Sequence, residues 1–181
     1  MGKSSEQVLN GMRMAAKEGD MVELRLDGLE RIELDELLPF HDCPLIVTNR
    51  RSEEGGFFSG SEVERISHLK KACEYGVDFV DVEWETPGNL RHELMAHRGR
   101  TKVILSYHEQ KETPALERLL SLWREMSASG ADVVKIIPYA KKIGDSLTVL
   151  NFLSTLMKTE KGGNIISHCM GEAGKISRVL S

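Results

Sequence analysis

Apolar and polar positions along this chain alternate between two rhythms. From Ser4 the apolar residues Val8, Leu9, Met12, Ala15 and Ala16 recur at helical spacing, opened by the capping pattern Ser4-x-x-Gln7 and closed at Gly19. The period then drops to two over residues 21–27, where Val22, Leu24 and Leu26 alternate with Glu23, Arg25 and Asp27. Further strands are predicted at 45–50, 78–84, 102–108, through the β-branched run at 130–138, and at 164–168. Between them the pattern predicts a loop at 53–56 and a helix from the capping box Ser61-x-x-Glu64 to about residue 75, stopped by Gly76. A helix capped by Thr113 with Pro114 at its first position ends at Gly130, and another spans 144–157. No sequence repeat or interdomain linker interrupts the series, so residues 1–181 read as one domain.

Strands alternating with helices call for a parallel sheet with helical crossovers, either a barrel or a doubly wound sheet. The strand faces help to choose. Glu23, Arg25 and Asp27 share one parity, and so do Asp81 and Glu83, while Val22, Leu24, Leu26, Val80, Val82 and Trp84 take the other. A doubly wound sheet is covered on both faces and should be apolar on both, whereas a barrel can turn polar groups inward beneath an active site. The expected fold class is therefore α/β, a TIM-type barrel. A polar parity on any one strand more often marks a solvent face, but several strands showing it together weaken that alternative.

Composition narrows the function classes. The 24 Lys and Arg against 28 Asp and Glu give a net charge of -4, which offers no basic footprint for nucleic acid. The three cysteines, Cys43, Cys73 and Cys169, are scattered without metal-ligand spacing, which suggests a reducing compartment and no metal site. No apolar stretch approaches the roughly 20 residues needed to span a membrane, so a cytoplasmic protein is expected.

The chemistry is concentrated in two strands. Lys135 is a lone lysine in an apolar run, and burial disfavours an ammonium, so such an amine can become a nucleophile toward carbonyl groups. The run at 102–108 ends in His108, a side chain suited to proton transfer near neutral pH. Taken singly, a strand-end lysine is usually a surface group and a histidine usually structural. His41, His68, His92, His97 and His168 fall in helical or loop text and keep that plain reading, and Gly171-x-x-Gly174 is too short a pattern for a phosphate loop.

Six motifs in order, Glu23-Leu-Arg25-Leu-Asp27, Thr48-Asn-Arg50 with Glu54-Gly55-Gly56, Asp81-Val-Glu83, Ser106-Tyr-His108 with Thr113-Pro114, Gly130-Ala-Asp132-x-x-Lys135-Ile136, and Met170-Gly171-x-x-Gly174-x-x-Ser177-Arg178, resemble the type I 3-dehydroquinate dehydratases. The resemblance covers nearly the whole chain. It implies a Schiff-base lyase of the shikimate pathway that converts 3-dehydroquinate to 3-dehydroshikimate and water. In that scheme Lys135 forms the imine, His108 moves the protons, and Glu54 orients the imidazole. Arg178 holds the substrate carboxylate, and Glu23, Arg25 and Arg50 hold the ring hydroxyls. The resemblance further implies a homodimer with no metal or diffusible cofactor. The family's first strand should precede Ser4 and its eighth should follow Arg178, so the expectation is an incomplete barrel lacking the first and eighth strands. Two other readings are a catalytically impaired fragment that binds a ligand or a partner chain, and a different Schiff-base lyase on the same barrel.

Overall fold

A computed structural model of the chain describes residues 4–39, 42–158 and 164–181; His41 lies outside them. It divides into two compact units, the first made of Met1–Val82 with Thr86–Val103, the second of Glu83–Glu85 with Ile104–Ser181. The six strands follow chain order in the sheet.

In the first unit, helix α1 (Ser5–Glu18) begins where predicted: Gln7 N–H donates to Ser4 Oγ at 3.3 Å, and Ser4 N–H donates to Gln7 Oε1 at 3.0 Å. These reciprocal bonds satisfy two backbone donors that a helix start otherwise leaves open. Strands β1 (Val22–Arg25) and β2 (Leu45–Thr48) pair in parallel, and β2 pairs in parallel with β3 (Phe79–Glu83), which ends in the second unit. Helices α2 (Leu34–Leu37), α3 (Glu62–Glu74) and α4 (Gly88–His97) complete it. α3 starts on the predicted Ser61 cap, whose hydroxyl accepts from Glu64 N–H at 3.2 Å. Leu24, Val47, Val80, Ile66, Leu69 and Leu94 are buried in the core. A charged residue shares that core: the Arg65 guanidinium, fully buried, donates to Glu62, to the Asn49 carbonyl at 3.0 Å and to Thr86 Oγ1 at 2.6 Å. A buried cation survives only with such complete pairing.

In the second unit, β4 (Lys102–Glu109), β5 (Val133–Pro138) and β6 (Ile165–Ser167) pair in parallel. Helices α5 (Leu116–Ser127), α6 (Ile143–Leu156) and α7 (Lys175–Leu180) join them. The amphipathic α5 buries Leu119, Leu122, Trp123 and Met126 along one stripe.

Two local predictions need correction. β1 stops at Arg25, and Leu26–Gly28 form a 3-10 turn, so Asp27 leaves the strand parity of Glu23 and Arg25. Its carboxylate is drawn into the buried turn by the N–H groups of Arg50, at 3.0 Å, and Phe57, at 3.1 Å. Thr113 does not cap α5, which starts after Ala115 without a side-chain cap. Its hydroxyl donates instead to the Tyr139 carbonyl at 3.0 Å, just past the end of β5.

Candidate active site

The polar parity is buried on β2 and β3, while Glu23 and Arg25 on β1 are exposed. Thr48 and Asp81 are both fully buried, in register on neighbouring strands of the first unit. Acids and bases there neutralise one another. Arg50, itself buried, forms an ion pair with Asp81 at 2.9 Å, and Thr48 donates to Glu23 Oε1 at 2.6 Å. Arg25 makes a two-pronged contact with Asp27, at 2.8 and 2.7 Å. Burial pushes the Asp27 carboxyl upward, but hydrogen bonds from Arg25 and from the Arg50 and Phe57 backbones outweigh it and hold the group below its ordinary value. Glu54 is buried in the 3-10 turn Ser52–Glu54, and Gly55 follows it with a left-handed φ of 78°. The residues predicted for the substrate hydroxyls, Glu23, Arg25 and Arg50, are therefore each bonded to a neighbour at this unit's strand ends, and Glu54, expected to orient His108, lies in the following turn. Gly56 belongs to the same turn: a side chain there would run into the Arg50 backbone, with its Cβ only 2.1 Å from the carbonyl oxygen.

The second unit gathers cations. Lys135 lies half-buried on β5, with Ser106 of β4 on one side of it and Ile166 of β6 on the other. His108 stands opposite Ile137, so the predicted base and the predicted nucleophile share one face of neighbouring strands, two positions apart along them. Arg178 sits exposed on α7.

Sequence reasoning missed His168. It lies in a loop, as read, but that loop follows β6 directly and the side chain is half-buried. Burial lowers its pKa, and Arg178, Lys135 and His108 lower it further by repulsion. The three functional residues predicted for this unit are thus brought within electrostatic reach of one imidazole. A signal for His168 was present, because it closes the run at 164–168 as His108 closes the run at 102–108. His68 is also engaged, with its Nδ1 3.2 Å from Asn49 Nδ2 and its ring edge-on to Phe58.

The profile of the family described as Type I 3-dehydroquinase matches residues 1–181. The chain belongs to that family. Among curated family relatives, the 3-dehydroquinate dehydratase of Thermococcus gammatolerans is 40% identical over 164 residues, covering 90% of this chain and 73% of the relative. The enzyme of the same name from Methanococcus maripaludis strain C5 is 35% identical over 176 residues, covering 95% of this chain and 77% of the relative. A crystal structure of the type I 3-dehydroquinate dehydratase from Clostridium difficile with covalently modified comenic acid superposes with a TM-score of 0.91 at 28% identity, covering 98% of this chain and 75% of that one. The fold is accordingly TIM-like α/β, as predicted, and the chain is a lyase of the type I dehydroquinase family. Among the described residues no helix is long and apolar enough to cross a membrane, and no cluster of three or more His, Cys, Asp or Glu is placed to hold a metal ion.

Proposed function

We propose that the chain dehydrates 3-dehydroquinate to 3-dehydroshikimate through an imine on Lys135. The observation that carries this reading is the shared face of Lys135 and His108 on paired strands, in a chain that belongs to the type I 3-dehydroquinase family. The Lys135 amine adds to the C3 ketone and the ketone oxygen leaves as water, giving a protonated imine. That imine draws electrons from the neighbouring carbon, so the C2 proton becomes acidic. His108 removes it, leaving an enamine, and the resulting imidazolium returns the proton to the C1 hydroxyl as that group departs as water. Water then hydrolyses the imine, releasing product and free Lys135. The water consumed in hydrolysis balances the water released in imine formation, so the net change is loss of one water.

Arg178 pairs with the substrate carboxylate through its planar fork. Glu54, Glu23, Arg25 and Arg50 keep the roles that the family resemblance implies, and the same reading extends to a cytoplasmic homodimer that needs no cofactor. Borohydride reduction in the presence of 3-dehydroquinate, followed by peptide mass analysis, tests the proposal. A reduced adduct on Lys135, with growth of the ultraviolet absorbance of a conjugated enone, is expected. Folded protein that yields neither would refute it.

A further inference from the structure

We propose that His168 is a substrate-contacting residue, a second imidazole beside Lys135 that hydrogen-bonds a ring oxygen of the polyhydroxylated carboxylate bound there. This inference rests on the dehydratase reading of the same lysine.

Register places the ring. Lys135 is paired with Ile166 and Ile136 with Ser167, and the isolated bridge between Tyr139 and Met170 keeps the same offset, so His168 falls beside Ile137. His108 stands on the other side of that same Ile137. Strands lie about 4.8 Å apart and rise about 3.3 Å per residue, so the two histidine backbones flank the lysine strand, each about two residues beyond the lysine. A ring joined to the Lys135 amine and extending toward the strand ends passes between them. His108 then serves one side and His168 the other.

The neighbours of His168 fix which way it faces. Ser167 and Cys169 are both buried: the Ser167 hydroxyl donates to the Ile136 carbonyl at 2.7 Å, and the Cys169 N–H donates to Ser177 Oγ at 2.8 Å. Alternation along an extended segment turns His168 to the opposite face, that of Lys135. The ring has no hydrogen-bond partner among the described residues, and its surroundings favour the uncharged form because burial and the charges of Arg178, Lys135 and His108 all oppose protonation. A neutral imidazole offers one donor and one acceptor. That suits a hydroxyl, and it adds no further positive charge to a site whose anionic ligand already meets Arg178.

Steady-state kinetics of His168→Leu and His168→Gln, with an imidazole NMR spectrum, test the assignment. His168→Leu should raise KM for 3-dehydroquinate at least fivefold with kcat changed less, and His168→Gln, which keeps a donor and an acceptor, should recover most of the loss. In Lys135→Ala protein, where no imine forms, the His168 resonance should move on adding 3-dehydroquinate. A KM changed less than fivefold in His168→Leu, a kcat loss exceeding the rise in KM, or a His168 resonance indifferent to saturating 3-dehydroquinate would overturn the contact. The two proposals fail separately. A Lys135 adduct with an unmoved His168 resonance removes only the contact, whereas a moved resonance without any adduct in the unaltered protein removes the imine reading and leaves the contact standing.

Discussion

The two units use charge in opposite ways. In the first, two ion pairs stand at the strand ends, Arg50 with Asp81 and Arg25 with Asp27, and the Glu23 carboxylate accepts a hydrogen bond from the Thr48 hydroxyl. In the second, the groups acting on His168 are Arg178, Lys135 and His108, all cationic or able to become so. Matched charges hold backbone in place and resist change. Like charges near one imidazole disfavour its protonated form, and the same positive charges would favour the carboxylate of the proposed substrate. The contrast separates residues bonded into the strand ends from those to which we assign the chemistry.

The strongest way to sharpen that contrast is to remove the amine. Lys135→Ala should abolish both the borohydride adduct and turnover, read by mass and by ultraviolet absorbance, while the urea midpoint stays close to the parent's. His108→Ala should still form the adduct but lose turnover by roughly 10²–10⁴-fold. If turnover survives unchanged in His108→Ala, the imidazole is not the base.

The paired unit should respond in stability. Asp81→Ala leaves the buried Arg50 guanidinium without its carboxylate, and breaking a buried pair costs about 3–5 kcal/mol. Urea unfolding measures this, and a loss below about 1 kcal/mol would mean that the pair is not the anchor described. Asp27→Ala, which strips two backbone N–H groups and Arg25 of their acceptor, should cost about 2–3 kcal/mol at neutral pH.

Asp27 also gives a pH signature. Its folded pKa is below its unfolded one, so its stabilisation is complete above the ordinary carboxylate value of 3.8 and is lost as pH falls through the lower folded value. Asp27→Asn should flatten that acid limb of the stability curve. The smallest effect concerns His168. Arg178→Gln removes one of the repelling charges and should raise the imidazole pKa, followed by NMR titration, and an unchanged titration would place Arg178 outside its reach.

Legibility in the sequence tracked how locally each feature is decided. The runs around Lys135 and His108 were readable because β-branched alternation is a local signal, and the α1 and α3 starts because capping pairs lie three residues apart. α4 was missed: it opens on Pro87-Gly88 without a side-chain cap and buries only Leu90 and Leu94, so its apolar stripe is thin. The four-residue α2 is too short to show a helical period. Asp27 continued the strand alternation on paper, but its place was decided by Arg50 and Phe57, which lie far along the chain.

By itself, the sequence determined the alternation of strands and helices, the family, and the strand positions of the lysine and histidine to which we assign the reaction, because periodicity, caps and motif order are written in neighbouring residues. Only the tertiary structure decided which charged groups come together. Whether Arg50 meets Asp81, or His168 comes into the field of Lys135, depends on strand register between segments about 30 residues apart, and pairing at that range is set by packing rather than by local spacing.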